Sequence, residues 1–171
     1  MKTLFKQILI LLVGGYFIYG GFQPCGGGLV SSADLLFHEG GHVIFGVFGE
    51  YVGMWGGTLM QLLIPLVLAI HFFRQGQDFS ARVILCWFGQ NFFHIAPYIK
   101  DARAQALPLV GGGIHDWNTI LGRAGLLNLD QVIGSAVWWL GLAVILLSVF
   151  MGMRSAETGC RMADGGWSNI K

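Results

Sequence analysis

Long apolar segments, separated by short polar or glycine-rich stretches, dominate the pattern of this chain. Five of them approach the roughly 20 residues that a helix needs to cross a bilayer core of about 30 Å. They cover residues 4–22, 29–49, 54–73, 81–99 and 132–153. We therefore predict an all-α, polytopic membrane protein with about five transmembrane helices.

The pattern predicts a single membrane-embedded domain over residues 1–171. The first segment follows Lys2 and Lys6 but lacks a small-x-small cleavage site, so we interpret it as a retained helix rather than a signal peptide. Residues 100–131 form the only long stretch predicted outside the membrane, and the polar tail at 154–171 is expected to be disordered or loosely bound to the surface.

Composition supports the membrane assignment. Charged residues make up 11% of the chain, against about 25% in an ordinary soluble domain. Hydrophobic residues reach 54% and mean hydropathy is +0.64, so the chain has too little polar surface to cover a water-soluble globule. The sequence therefore predicts an integral membrane protein whose surface contacts the lipid bilayer.

Charge and cysteine content exclude several other classes of protein. The net charge is +1 and no basic run is interleaved with aromatic residues, so nothing indicates a nucleic-acid partner. Cys25, Cys86 and Cys160 are odd in number and widely spaced, which excludes a disulfide framework and a Cys-x-x-Cys metal knuckle. Cys86 lies inside an apolar segment, where we expect it to pack in the core.

The sequence leaves the orientation in the membrane balanced. If the five segments alternate in direction, one side receives Lys2, Lys6, Lys100, Arg103 and Arg123, and the other receives Arg74, Arg82, Arg154, Arg161 and Lys171. Because the first helix usually dominates the positive-inside rule, we predict that the N-terminus is inside.

Residues His38, Glu39 and His42 form the sequence His-Glu-Gly-Gly-His within the second apolar segment. Two helical histidines four residues apart are separated by about 40° around the axis and about 6 Å along it, so both rings can reach one metal ion. Zinc held by two imidazoles and one further ligand lowers the pKa of its bound water to about 7, and the neighbouring Glu39 carboxylate can accept the proton. The pattern therefore predicts a zinc hydrolase site at membrane depth.

A catalytic zinc ion normally takes a third protein ligand, which this motif does not supply. The candidates are His71, His94, Asp101, His115 and Asp116. We interpret His71 as an interfacial imidazole and Asp101 as a solvated surface charge. His94 follows Gln90 and Asn91 by one turn, so it is either a site residue or a histidine hydrogen-bonded between helices.

Asp116, His115 and Asp34 each have two interpretations. Asp116 follows the glycine run at 111–113 and suits both a metal ligand and the N-cap of the next helix. His115 beside it is a substitute ligand or an outer-shell donor. Asp34, one turn before His38, either orients the His38 imidazole or is a helix-start charge.

These motifs resemble the site-2 protease family of intramembrane zinc metalloproteases. The resemblance rests on His38-Glu39-Gly40-Gly41-His42, followed downstream by Asp116 and then by Ile120-Leu121. In that family an aspartate in a Leu-Asp-Gly motif, often continued by an aliphatic pair, completes the zinc site. The spacing Asp-x-x-x-Ile-Leu matches here, whereas His115 replaces the leucine and Trp117-Asn118 replaces the glycines that follow.

The resemblance covers residues 30–125, taken as the core of the domain, and Gly56-Gly57-Thr58 with Gln61 loosely resembles a further family motif. It implies a Zn²⁺ cofactor and a catalytic base. The implied ligands are His38, His42 and Asp116, with His115 and His94 as alternatives to Asp116, and the implied base is Glu39.

The expected function is hydrolysis of a peptide bond in or near the bilayer. The substrate would be a transmembrane or membrane-proximal protein that unwinds locally, because a helical peptide bond is sheltered by its own hydrogen bonds. The alternative is a membrane zinc-binding protein that does not cut and serves as a scaffold, a chaperone or a metal-handling protein.

Overall fold

The structure, a computed structural model, describes residues 2–22, 29–109 and 113–165. Within these ranges the chain forms six α-helices and a short 3-10 helix, and it contains no β-strand. The elements are α1 (Lys2–Gly20), α2 (Leu29–Gly46), α3 (Glu50–Arg74), α4 (Asp78–Lys100), α5 (Asp116–Arg123), the 3-10 helix (Leu127–Leu129) and α6 (Asp130–Gly165). The prediction of an all-α protein is confirmed.

Three helical stretches are long and apolar enough to cross a membrane, namely Thr3–Gly20, Glu50–Arg74 and Leu127–Ala156. Helices form at all five predicted segments, but α2 and α4 are not among these three. Asp34 and the His38-Glu39-Gly40-Gly41-His42 motif lower the hydropathy of α2, and Arg82 with the polar residues Gln90, Asn91 and His94 lowers that of α4. The structure is therefore compatible with a membrane protein, and the prediction of five spans is not confirmed.

Helices α4 and α6 form the centre of the bundle and run antiparallel. Gly89 of α4 lies against Ile145 and Gly141 of α6, and small residues at such a contact let two helix backbones approach closely. Helix α1 packs on the same pair, where Ile10 joins Cys86 and Ile145 in one buried cluster. The predicted packing role of Cys86 is confirmed, while Cys25 and the side chain of Cys160 lie outside the described part.

Helices α1 and α2 run in the same direction. Helix α1 is antiparallel to α6, since Ile10 lies against Gly152 near the far part of that helix. Helix α2 is antiparallel to α3, since Gly41 lies against Gly56. Because α3 and α6 both run opposite to α4, α1 and α2 share one direction.

This arrangement corrects the alternation that we assumed from the sequence. The start of α1 lies at the same end as the turn between α3 and α4 and the C-terminal part of α6, which we call the N-terminal end. The residues between α4 and α6 lie at the opposite end, which we call the α5 end. The N-terminus is therefore on the side of Arg74, Arg82 and Arg154, and not on the side of Lys100.

The segment between α4 and α6 is folded against the bundle rather than extended. Helix α5 buries Trp117, Ile120 and Leu121 against side chains of α3 and α4. The carboxylate of Asp101 accepts hydrogen bonds from the backbone N–H groups of Ala106 (2.9 Å) and Leu107 (3.0 Å). The interpretation of Asp101 as a solvated surface charge is therefore wrong, because its side chain is buried and holds this loop.

Helix α6 also differs from the expectation for the C-terminal tail. It continues past the predicted end at residue 153 as far as Gly165. Residues 154–165, expected as a disordered or loosely bound tail, are helical in backbone. Residues 166–171 lie outside the described part.

Candidate metal centre

Helices α2 and α5 bring His38, His42 and Asp116 together. The Nε2 atom of His38 lies 3.5 Å from Oδ2 of Asp116, and Nε2 of His42 lies 3.3 Å from the same oxygen. Zinc bonds of about 2.0 to 2.2 Å in a tetrahedral arrangement place neighbouring ligand atoms about 3.3 to 3.6 Å apart. Within the described residues this is the one group of three such side chains that can hold a metal ion.

Hydrogen bonds on the far side of each ring fix the histidine tautomers. The Nδ1–H of His38 donates to Oε1 of Gln61 (3.2 Å), and the Nδ1–H of His42 donates to the backbone carbonyl of Gly53 (2.8 Å). A neutral imidazole that donates through Nδ1 keeps the lone pair on Nε2, which is the atom a metal requires. When the two rings are neutral, both therefore present an Nε2 lone pair on the side of Asp116, where a metal ion can bind.

The carboxyl group of Asp116 is anionic at neutral pH. Burial raises its pKa, but in the metal-free site hydrogen bonds donated by the protonated imidazoles of His38 and His42 outweigh burial and lower the pKa to about 2. A metal ion would take the place of these protons. The side chain is only 12% exposed. Two imidazole lone pairs and one buried carboxylate thus converge on a common point, and a cation between them removes the repulsion among these acceptors.

Gly57 of α3 provides the space in which the two rings meet. A Cβ atom on this residue would lie 2.6 Å from Nε2 of His38 and 2.6 Å from Nε2 of His42. Any side chain there would displace both rings or occupy the place of the ion. The close contact of α2 with α3, through Gly41 and Gly56, brings this glycine next to the motif.

A cavity of about 460 Å³ opens beside the three ligand candidates. It is lined by His38, Glu39, His42, Tyr98, Leu109, Gly113, Ile114 and Asp116. The half-buried Glu39 therefore faces the same space as the convergent ligand atoms. This arrangement places a carboxylate where it can accept a proton from a molecule held between the ligands and the cavity wall.

His94 lies in a separate polar cluster. Its Nδ1 is 3.4 Å from Oδ2 of Asp34, and its Nε2 is 2.9 Å from the side-chain nitrogen of Gln90. The indole N–H of Trp87 donates to the other carboxylate oxygen of Asp34 (2.7 Å). His94 is thus not the third ligand. Its hydrogen bond to Gln90 lies within α4, and its contact with Asp34 of α2 is not a hydrogen bond, so the alternative of a histidine hydrogen-bonded between helices is not confirmed. Asp34 does not orient His38, because Gln61 does.

His115 caps α5 and is not part of the ligand group. Its Nδ1 accepts the backbone N–H of Asn118 (3.2 Å), and its Nε2 lies 3.5 Å from the carboxylate of Asp101. Burial lowers the pKa of His115, partly offset by Asp101, so the ring is neutral. The N-cap interpretation of Asp116 is wrong, because α5 begins at Asp116 and His115 holds the cap position.

The remaining sequence candidate is remote. His71 is exposed near the end of α3, where its Nε2 is 2.9 Å from the side-chain nitrogen of Gln75. It is therefore not the third ligand, and its interpretation as an interfacial imidazole stays a prediction.

Sequence reasoning missed Tyr98 and the carbonyl of Gly53. Nothing in the sequence indicated a role for Tyr98, since a tyrosine in an apolar helix usually packs in the core. For Gly57 and Gln61 the sequence offered only a loose motif, without a role for either residue.

Comparison with protein-family models, with curated proteins and with solved structures finds no match. Any conclusion about function therefore rests on the geometry of the site. The described residues contain a group of His38, His42 and Asp116 that can hold a metal ion, whose identity the structure does not specify.

Proposed function

We propose that this protein is an intramembrane zinc metallopeptidase, similar in its site to the site-2 proteases. The observation that carries the proposal is the convergence of two Nε2 lone pairs and one buried carboxylate oxygen. Two histidines and one carboxylate are a ligand set of catalytic zinc, which leaves a position open for water. Zinc supplies Lewis acidity and a water molecule of lowered pKa.

Within this proposal the residues of the chain have distinct roles. His38, His42 and Asp116 hold the ion, and Glu39 accepts the proton of the attacking water and returns it to the leaving amine. Gln61 and the Gly53 carbonyl hold the rings in the metal-binding tautomer.

The depth of the site narrows the substrate class. Gly57, which lies between the two rings, follows Glu50 by seven residues, or about 10 Å along the helix axis. The cavity also includes residues of the segment before α5. The proposed substrate is therefore a protein whose scissile bond lies near the α5 end of the membrane, in a transmembrane segment that has unwound or in the chain just outside it.

The distribution of basic residues supports an N-terminus inside, as a further part of the proposal. Among the residues whose backbone the structure describes, three basic residues belong to the α5 end and six to the N-terminal end. They are Lys100, Arg103 and Arg123, against Lys2, Lys6, Arg74, Arg82, Arg154 and Arg161. Because basic residues collect on the cytoplasmic side, the proposed metal centre opens toward the opposite side.

Replacing Glu39 by Gln tests the enzymatic part of the proposal. The Glu39→Gln variant keeps the size of the side chain but removes the base, so zinc content should persist while cleavage falls about 100- to 10,000-fold. The matched control is Glu50→Gln at the exposed start of α3, which should cleave like wild type. Zinc is measured by elemental analysis, and cleavage on single-span test substrates.

The outcomes separate enzyme from binder. A wild-type protein that holds zinc but cuts none of the substrates, or a Glu39→Gln variant that cuts equally well, refutes the peptidase proposal. Zinc without cleavage would instead support the non-proteolytic membrane zinc-binding protein. Absence of zinc from the wild type would contradict both.

A further inference from the structure

Tyr98 of α4 makes two hydrogen bonds to a single residue of the candidate metal centre. Its phenol oxygen accepts the backbone N–H of Asp116 (3.3 Å), and its O–H donates to Oδ2 of Asp116 (3.3 Å). This carboxylate oxygen is the one that faces Nε2 of both His38 and His42. One phenol thus links the backbone and the side chain of the same residue.

We propose that Tyr98 is a positioning residue that locks the Asp116 carboxylate in its metal-binding rotamer. This inference rests on the proposed metal centre. The two hydrogen bonds close a ring that includes the Cα–Cβ bond of Asp116, so rotation about that bond breaks at least one of them. The donated O–H occupies one lone pair of Oδ2 and leaves another for the ion.

Packing from two sides holds the phenol in place. The ring of Tyr98 lies against that of His115, with centroids 4.2 Å apart and an interplanar angle of 31°. The edge of the His38 ring contacts it at a centroid distance of 6.1 Å. Since Nδ1 of His115 accepts the backbone N–H of Asn118 in α5, this stacking positions the phenol relative to α5, and the His38 contact positions it relative to α2.

With Tyr98 included, each of the three ligand candidates has a hydrogen-bond partner that can hold its side chain in the metal-binding orientation. Gln61 serves His38, the carbonyl of Gly53 serves His42, and Tyr98 serves Asp116. Such partners orient metal ligands, and their removal typically weakens metal binding about 10- to 100-fold. The carboxylate needs its partner most, because Asp116 starts a helix of only eight residues.

The Tyr98→Phe variant of the full-length protein tests this inference, since it removes a single oxygen and keeps the ring stacking. We expect Zn²⁺ affinity, measured by chelator competition, to fall about 10- to 100-fold, and the visible absorption spectrum of the Co²⁺-substituted protein to change. The control is Tyr16→Phe on α1, where the side chain is exposed, and it should match wild type. Circular dichroism of the metal-free proteins shows whether each variant is folded.

The result that overturns the inference is a folded Tyr98→Phe variant with the Zn²⁺ affinity and Co²⁺ spectrum of wild type. A second arm adds Tyr98→Phe to Asp116→Ala, where the residual Zn²⁺ affinity should not fall further. An additional loss there would show that Tyr98 acts by another route, which also contradicts the inference. If the wild type binds no metal, the proposed metal centre fails instead, so the two failures are distinct.

Discussion

At the residue scale, the hydrogen-bond partners of His38 and His42 come from α3 rather than from α2 itself. Helical spacing places Asp34 one turn from His38, yet its carboxylate binds Trp87 and faces His94 across the bundle. A buried carboxylate takes the donor that tertiary packing provides, and this donor, Trp87, is remote from Asp34 in sequence. The His38 partner, Gln61, was visible only as part of a loose motif.

The ligand set leads to a direct prediction about metal content. His38→Ala and His42→Ala should each abolish stoichiometric zinc, because a lone imidazole with one carboxylate is an incomplete set. Asp116→Ala should weaken zinc binding by at least the 10- to 100-fold typical of even outer-shell changes. Elemental analysis and chelator competition provide the measurements.

The matched control for this prediction is His71→Ala, since His71 is exposed and remote from the centre. It should retain one zinc ion per chain. A double variant lacking both His38 and His42 that still holds one zinc ion per chain would place the site elsewhere. Loss of helix capping would not explain a defect in Asp116→Ala, because His115 caps α5.

At the element scale, the centre depends on how closely α2 approaches α3. Gly41 and Gly56 have no side chains to hold the two backbones apart, so Gly57 lies next to the rings of His38 and His42. The sequence predicted both helices and the spacing of the histidines. It did not predict which face of α3 meets the motif, because that depends on helix packing and not on periodicity.

A glycine pair tests this packing. A methyl group at position 57 would lie 2.6 Å from both Nε2 atoms, so Gly57→Ala should lower zinc affinity at least about 10-fold by displacing the ligands. The control is Gly40→Ala, within the motif, because a Cβ atom added at Gly40 would meet no other atom within 4 Å. That control should bind zinc normally and favour the helix by up to about 1 kcal/mol.

Zinc affinity and thermal unfolding of the metal-free proteins separate the two effects. Equal zinc affinity in Gly57→Ala and Gly40→Ala would show that the ion does not lie between the rings beside α3. A Gly57→Ala variant that fails to fold is recognised by circular dichroism. In that case the zinc affinity of His42→Ala, which removes a ligand candidate, is compared with that of Gly40→Ala instead.

At the scale of the whole molecule, the topology is where the sequence was least informative. Hydropathy locates helices but not their direction, and simple alternation divided the basic residues evenly. The contacts of α1 with α6 place the N-terminus at the end opposite to α5. This reversal changes the charge balance between the ends without altering any predicted helix.

Cysteine labelling tests the resulting orientation. Ile114, at the cavity mouth, is 68% exposed, and Asp78, at the start of α4, is exposed at the N-terminal end. In a background with the three native cysteines replaced by alanine, Ile114→Cys should react in intact cells with a membrane-impermeant maleimide. Asp78→Cys should react only after the membrane is permeabilised, because the proposed orientation puts that end in the cytoplasm. The opposite labelling pattern would reverse the orientation and move the cavity to the cytoplasmic side. Labelling of both positions in intact cells would contradict a membrane-spanning bundle.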